Sequence, residues 1–243
     1  LLLLPQSVYW RGGKRADAQG AYSRQFDRRL YGNRINNAMN SIAETCMHVF
    51  VWCCRVRHRR GYGVHSPYAY NLIKQVFFET ETFYAYEELQ HTVGRGRSFW
   101  QTKTDRLMLR LANEVQPQRI WVCGLQLDVP ACYASAGCRR AKRIDWSEQT
   151  AVWPDNLQLQ QPLVDFWMWE AKTLDLNRFE KMAATVAEPS VAVVYDIHRS
   201  RSALRLWKNI EHHPLSVVTF DLYDVGVVFF NRQYNKQSYK VCF

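Results

Sequence analysis

Residues 190–211 read SVAVVYDIHRSRSALRLWKNIE. The run Val191 to Tyr195 is apolar at every position and rich in β-branched side chains, and it is too short for a helix. A strand without a polar face is one buried on both sides, as in a parallel sheet covered by helices. It ends at Asp196, and SALRLWKNIE then has the pattern of a helix. The same alternation runs upstream. RIWVCG (119–124), AKRID (141–145) and VDFWMW (164–169) read as short strands, with ACYASAG and LNRFEKMAATVA as the helices. Downstream, SVVTFDLY and VGVVFFN have no helix between them, only a turn at Asp224-Val225-Gly226, which predicts an antiparallel hairpin at the end of the sheet. QSYKVCF is a further strand candidate. Strands alternating with helices predict a doubly wound, mostly parallel α/β sheet.

The first half of the chain is of another kind. Residues 1–35 mix Gly, Arg, Gln and Asp without a steady period and read as a basic, disordered arm. Apolar residues at 42, 46, 49, 53 and 56 have helical spacing. In GYGVHSPYAYNLI, Ser66 is a good N-cap and Pro67 a good first helical residue. Tyr68, Leu72, Val76 and Phe77 then form an apolar face. YAYEELQ and TDRLMLRLANEV complete the set. The expected organisation is an arm (1–35), an N-terminal helical cap (36–116) and an α/β domain (117–243).

The chain has 243 residues, with 32 Lys+Arg against 22 Asp+Glu and a formal charge of +10. Much of the excess precedes residue 61. The segment from Arg55 to Arg60 is a candidate for an anionic partner such as nucleic acid, or it caps the negative end of the helix before it. The seven cysteines form no CxxC pair, so neither a zinc site nor a disulfide framework is expected. LLLLPQ is too short for a signal-peptide core, and no apolar run approaches the roughly 20 residues of a membrane span. A cytoplasmic location is the expectation.

GYGVHSPYAYNLI, YAYEEL, VVYDIHRSRSALRLWKNIEHHP and VTFDLYDVGVVFF together resemble a group of class I S-adenosylmethionine-dependent methyltransferase-like proteins common in Bacteroidetes. The likeness covers roughly residues 38–243 and is most specific at its two ends. It implies a Rossmann-like methyltransferase sheet of the O-methyltransferase type, with the cofactor over the ends of the first two strands. Gly124 matches the first glycine of the cofactor turn. Asp145, followed by Trp146, matches the acid that meets the ribose. Asp196 and His198 fall where catalytic groups are expected after the strand at 190–196. His65, in the landmark near the start, either approaches the cleft or fixes the cap to the sheet.

The chain also departs from that pattern. Val122 stands where an acid would meet the cofactor's ammonium group, and Asp128 stands where a second glycine is expected. Trp169 and Tyr195 replace acids that hold a cation in metal-dependent relatives, so no metal site is expected, with Glu170 one position out of register. Residues 146–163 leave room for one crossover, not the two that would carry a further edge strand. The expectation is a methyltransferase-like protein with weak or lost activity. The alternatives are an inactive binding or scaffold protein on the same fold, and a nucleic-acid-binding protein acting through the basic arm.

Overall fold

The computed structural model describes residues 42–43, 45–146 and 163–243. The expected arm and most of the short 146–163 interval lie outside the described residues. The chain divides into two compact units, Leu1–Val49 and Phe50–Phe243. Of the first, residues 42–43 and 45–49 are helical; α1 comprises residues 45–55. All that follows concerns the second.

A 3-10 turn, Val56–Gly61, leads to α2 (Pro67–Leu72), which runs on as a π-helical turn, Ile73–Phe77. Ser66 caps α2 by accepting the Ala69 N–H, and Pro67 opens it. Two more helices follow, α3 (Ala85–Thr92) and α4 (Phe99–Val115). The reading of 104–115 missed the first turn of α4, which Ser98 and Gln101 close as a reciprocal capping box. The α/β part then runs β1 (Arg119–Cys123), α5 (Asp128–Gly137), β2 (Lys142–Asp145), β3 (Asp165–Glu170), α6 (Leu176–Thr185), β4 (Val191–Tyr195), α7 (Arg201–His212), β5 (Val218–Asp221), β6 (Val225–Phe229) and β7 (Gln237–Lys240).

The sheet order is β2-β1-β3-β4-β6-β5-β7. β2, β1, β3 and β4 are mutually parallel, β6 is antiparallel to both neighbours, and β7 is parallel to β5. This is a doubly wound, mostly parallel α/β sheet with an antiparallel C-terminal hairpin and a helical cap. One placement differs from expectation. The hairpin does not end the sheet, because β6 lies between β4 and β5 and β7 forms the edge. The burial patterns give the reason. Every residue of β5 is buried and needs neighbours on both sides, whereas β7 alternates between half-buried and exposed.

Alternation along each strand sorts the core into two layers. Ile120, Val122, Phe166, Met168, Val191 and Val193 face α4 and α5 through Leu107, Leu111 and Tyr133. Trp121, Cys123, Trp167, Trp169, Ala192 and Val194 face α6 and α7 through Phe179, Trp207 and Ile210. Trp121 and Trp167 are register partners, and their rings stack 4.7 Å apart and 4° from parallel. The cap joins the first layer. Phe77 meets Phe220 edge-on at 4.9 Å, and Tyr68 stacks on Tyr234 at 3.9 Å. Among the described residues no helix is long and apolar enough to cross a membrane.

Candidate functional site

Strand direction brings the ends of β1 to β5 to one edge, apart from the reversed β6. The turns there carry Asp145 and Trp146 after β2, Gly124 after β1, Glu170 closing β3, Asp196 and His198 after β4, and Asp221 closing β5. The winding reverses between β1 and β3, and the loops of an open doubly wound sheet part at such a point. Gly124 and Glu170 flank it.

Glu170 fills the turn at that point. Its side chain is only 4% exposed, and it pairs with Lys172 Nζ at 2.6 Å. Its Oε1 accepts the Gln126 backbone N–H at 2.7 Å. A Cβ added to Gly124 would stand 2.6 Å from Glu170 Cγ and Oε1. The absence of a side chain at 124 is therefore what lets this carboxylate lie against the β1–α5 turn. Thr173 Oγ1 holds the same corner, donating to the carbonyl of Glu170 at 3.1 Å. Val122 is buried in the apolar layer beneath α4 and α5.

Asp145 pairs in register beside Val122. Its side chain is 65% exposed. Arg143 holds it, with Nε donating to Oδ1 at 2.8 Å, while the Arg143 Nη2 donates to Asp128 Oδ1 at 2.6 Å. One guanidinium therefore bridges both carboxylates at this end of the site and leaves one net negative charge there. Trp146 donates its backbone N–H to Val122 O at 2.9 Å. Its ring leans on Trp169 at 5.4 Å, and the Arg178 guanidinium lies 5.5 Å from its centre.

Asp196 and His198 share the β4–α7 loop, yet no hydrogen bond joins them. Asp196 adopts a left-handed backbone, φ 61°, held by its N–H donating to Asp224 O at 2.7 Å. Burial raises its carboxyl above the usual range; Arg199 opposes this and nearby Glu170 adds to it. His198 turns to a residue that sequence reasoning did not single out. Its Nε2 lies 2.9 Å from Asp221 Oδ2. Arg55, at the end of α1, grips the same carboxylate, with Nη1 2.8 Å from Oδ1 and Nη2 3.2 Å from Oδ2. Asp221 is fully buried. Burial alone would raise its carboxyl, but bonds from His198 and Arg55 carry it well below the usual carboxylate range.

The acceptor-only carboxylate fixes the His198 tautomer. Nε2 carries the proton given to Asp221, and Nδ1 is the basic nitrogen of the neutral ring. Arg55 Nη2, 3.2 Å from Nε2, is a packing neighbour there, since two donors cannot share that bond. Tyr223, also left-handed at φ 80°, stacks on the imidazole at 5.0 Å. His65 is exposed before α2 and reaches none of these groups.

The structure thus puts Gly124, Asp145, Trp146, Asp196 and His198 at one edge of the sheet, but Glu170 rather than open space adjoins Gly124. A signal for Asp221 was present: an acid closing an otherwise apolar strand needs a partner. Its partner Arg55 is 166 positions away in sequence, where no local pattern can find it. Among the described residues no three His, Cys, Asp or Glu side chains are grouped to hold a metal ion.

No family model and no curated protein matches this sequence. Among solved structures, the chain is similar to a Podospora anserina methyltransferase bound to SAH, at 11% identity over 69% of this chain and 97% of that one, with a TM-score of 0.41. It is also similar to a methyltransferase from Geobacter sulfurreducens, at 14% identity over 60% and 87% of the two chains, TM-score 0.40. A third is an O-methyltransferase from Bacillus cereus in complex with SAH, at 12% identity over 64% and 95%, TM-score 0.38. The fold assignment rests on strand order and register rather than on these distant likenesses.

Proposed function

We propose that this chain keeps a methyltransferase-type sheet but uses S-adenosylmethionine weakly or not at all, and acts as a binding or scaffold protein on that fold. The observation that carries this reading is Glu170 packed on Gly124. The turn that would receive the cofactor's carboxylate already donates a backbone N–H to the chain's own carboxylate. The residues present do not fit the cofactor. Val122 offers its ammonium group nothing, and losing one charge-assisted hydrogen bond weakens binding by about 1.5–3 kcal/mol, roughly tenfold or more. Asp145 keeps a carboxylate for a ribose, but shares it with Arg143.

Calorimetric titration with S-adenosylmethionine and S-adenosylhomocysteine up to millimolar concentration tests the reading. The expected result is no saturation below the millimolar range. A micromolar dissociation constant overturns it.

One observation favours a second reading, an unusual methyltransferase working at Asp196 and His198. The Asp221 carboxylate pins His198 with Nδ1 basic, as a general base requires. In that reading His198 takes the acceptor's proton and Asp221 stabilises the imidazolium. Radiolabel transfer to an acceptor, lost in His198→Ala, would establish it.

A further inference from the structure

From Phe50 onward, α1 wears its polar side inward and its apolar side outward. Val51 and Arg55, four positions apart, share the face that meets the body. Val51 is half-buried, and the Arg55 guanidinium is bound to the buried Asp221 carboxylate. Phe50, Cys53 and Cys54 lie on the other face and are exposed, Phe50 by 65%. Trp52 and Val56, beside them, are 43% and 44% exposed. An ordinary surface helix has the reverse arrangement.

The orientation is fixed from behind. The Cys242 thiol donates to Trp52 O at 3.8 Å, and the Cys242 N–H donates to His58 O at 3.2 Å. Rolling Phe50 and Val56 inward would take Arg55 away from Asp221 and strand a buried carboxylate. The apolar face therefore stays outward.

Whatever covers this face must accept apolar side chains and cations together. Arg57 is exposed one step past Val56, and the sequence adds Arg59 and Arg60. A second copy carries the same arginines and the same formal charge of +10, and a nucleic-acid backbone has nothing to receive Val56 or the two cysteines. A bilayer surface with anionic headgroups receives both, the acyl boundary taking the apolar residues and the headgroups the arginines. We propose that the exposed face of residues 50–57 is a docking surface for an anionic lipid bilayer. The helix lies in the interface and does not cross it.

The test sediments the 243-residue chain with vesicles of phosphatidylcholine alone and of phosphatidylcholine mixed with phosphatidylglycerol. Binding to the mixed vesicles is expected to be at least roughly tenfold tighter, since each cation near an anionic surface contributes about fivefold. Phe50→Gln should weaken it roughly tenfold or more and leave Tm unchanged, because the side chain is exposed. Arg57→Gln should weaken it about fivefold. Maleimide labelling, read peptide by peptide, is the second measurement: Cys53 and Cys54 should label fast in buffer and slowly on mixed vesicles. Absence of binding, or binding indifferent to lipid charge or to Phe50→Gln, overturns the proposal. Slow labelling in buffer also overturns it, because the face is then covered by residues 1–41 or by a second copy. So does tighter retention on DNA than on the mixed vesicles.

Discussion

Asp221→Asn is the most informative single change in this protein. The substitution keeps the shape of the side chain and removes its charge. In the parent, Asp221 is fully buried and receives Arg55 through two nitrogens, His198 through Nε2, and the Tyr223 N–H at 3.0 Å. The Arg55 side chain is only 12% exposed, so water cannot replace the lost carboxylate. Asn also has one acceptor oxygen where Asp221 has two, so the Arg55 fork loses one of its two bonds. Removing one member of a buried pair destabilises by about 3–5 kcal/mol, because the other charge is left uncompensated. In a domain of this size about 1 kcal/mol moves Tm by roughly 2–4 °C, so the variant should melt roughly 6–20 °C lower. Arg55→Met in the same background should recover part of the loss, since it removes the stranded charge. Urea unfolding and thermal melts of the parent, both single variants and the pair would measure this. A cost for Asp221→Asn below about 1 kcal/mol, or strictly additive effects, would refute the reasoning.

Further outcomes follow from other contacts. The Asp221 carboxyl lies below its unfolded value of about 3.9, so its stabilisation is complete above that pH and is lost as pH falls through the folded value. The urea midpoint of the parent should therefore decline more steeply below pH 4 than that of Asp221→Asn. Burial raises the Asp105 carboxyl despite Arg97. Its contribution runs the other way, declining as pH rises from its unfolded value through its folded one, and Asp105→Asn should flatten that slope in the same titration. Gly137→Ala would place a Cβ 2.2 Å from the Leu109 carbonyl oxygen, forcing α4 and α5 apart; a loss of about 1–3 kcal/mol or more is expected in thermal unfolding. Tyr68→Ala removes the stack on Tyr234 and should lower stability by about 2 kcal/mol, with amide exchange rising first in the cap helix.

The strands were legible wherever burial on both faces left an unbroken apolar run. VAVVY lies inside the sheet between β3 and β6, as its composition demands. The hairpin was legible too, but not its place. Turn chemistry specifies that β5 and β6 pair, and it says nothing about which of them meets β4. The candidate residues after β1, β2 and β4 were found because chain direction alone takes them to one edge. What occupies that edge was not, because Glu170, Asp221 and Arg55 act through partners distant in sequence. Glu170 looked like a residue one position out of register, and only the contact with Gly124 shows what it fills. Trp121 and Trp167 form the stacked layer beneath α6 and α7, as strand alternation places them.

The insertion of β6 between β4 and β5 bears on how this protein is made. β4 offers its Val-Ala-Val-Val edge to a strand that begins 30 positions after Tyr195. During synthesis that edge emerges first and waits unpaired. An apolar strand edge without a partner is a template for pairing with other chains. The strand that closes the middle of the sheet is thus made after both β4 and β5, and a nascent chain stalled before Val225 would be aggregation-prone rather than merely shorter.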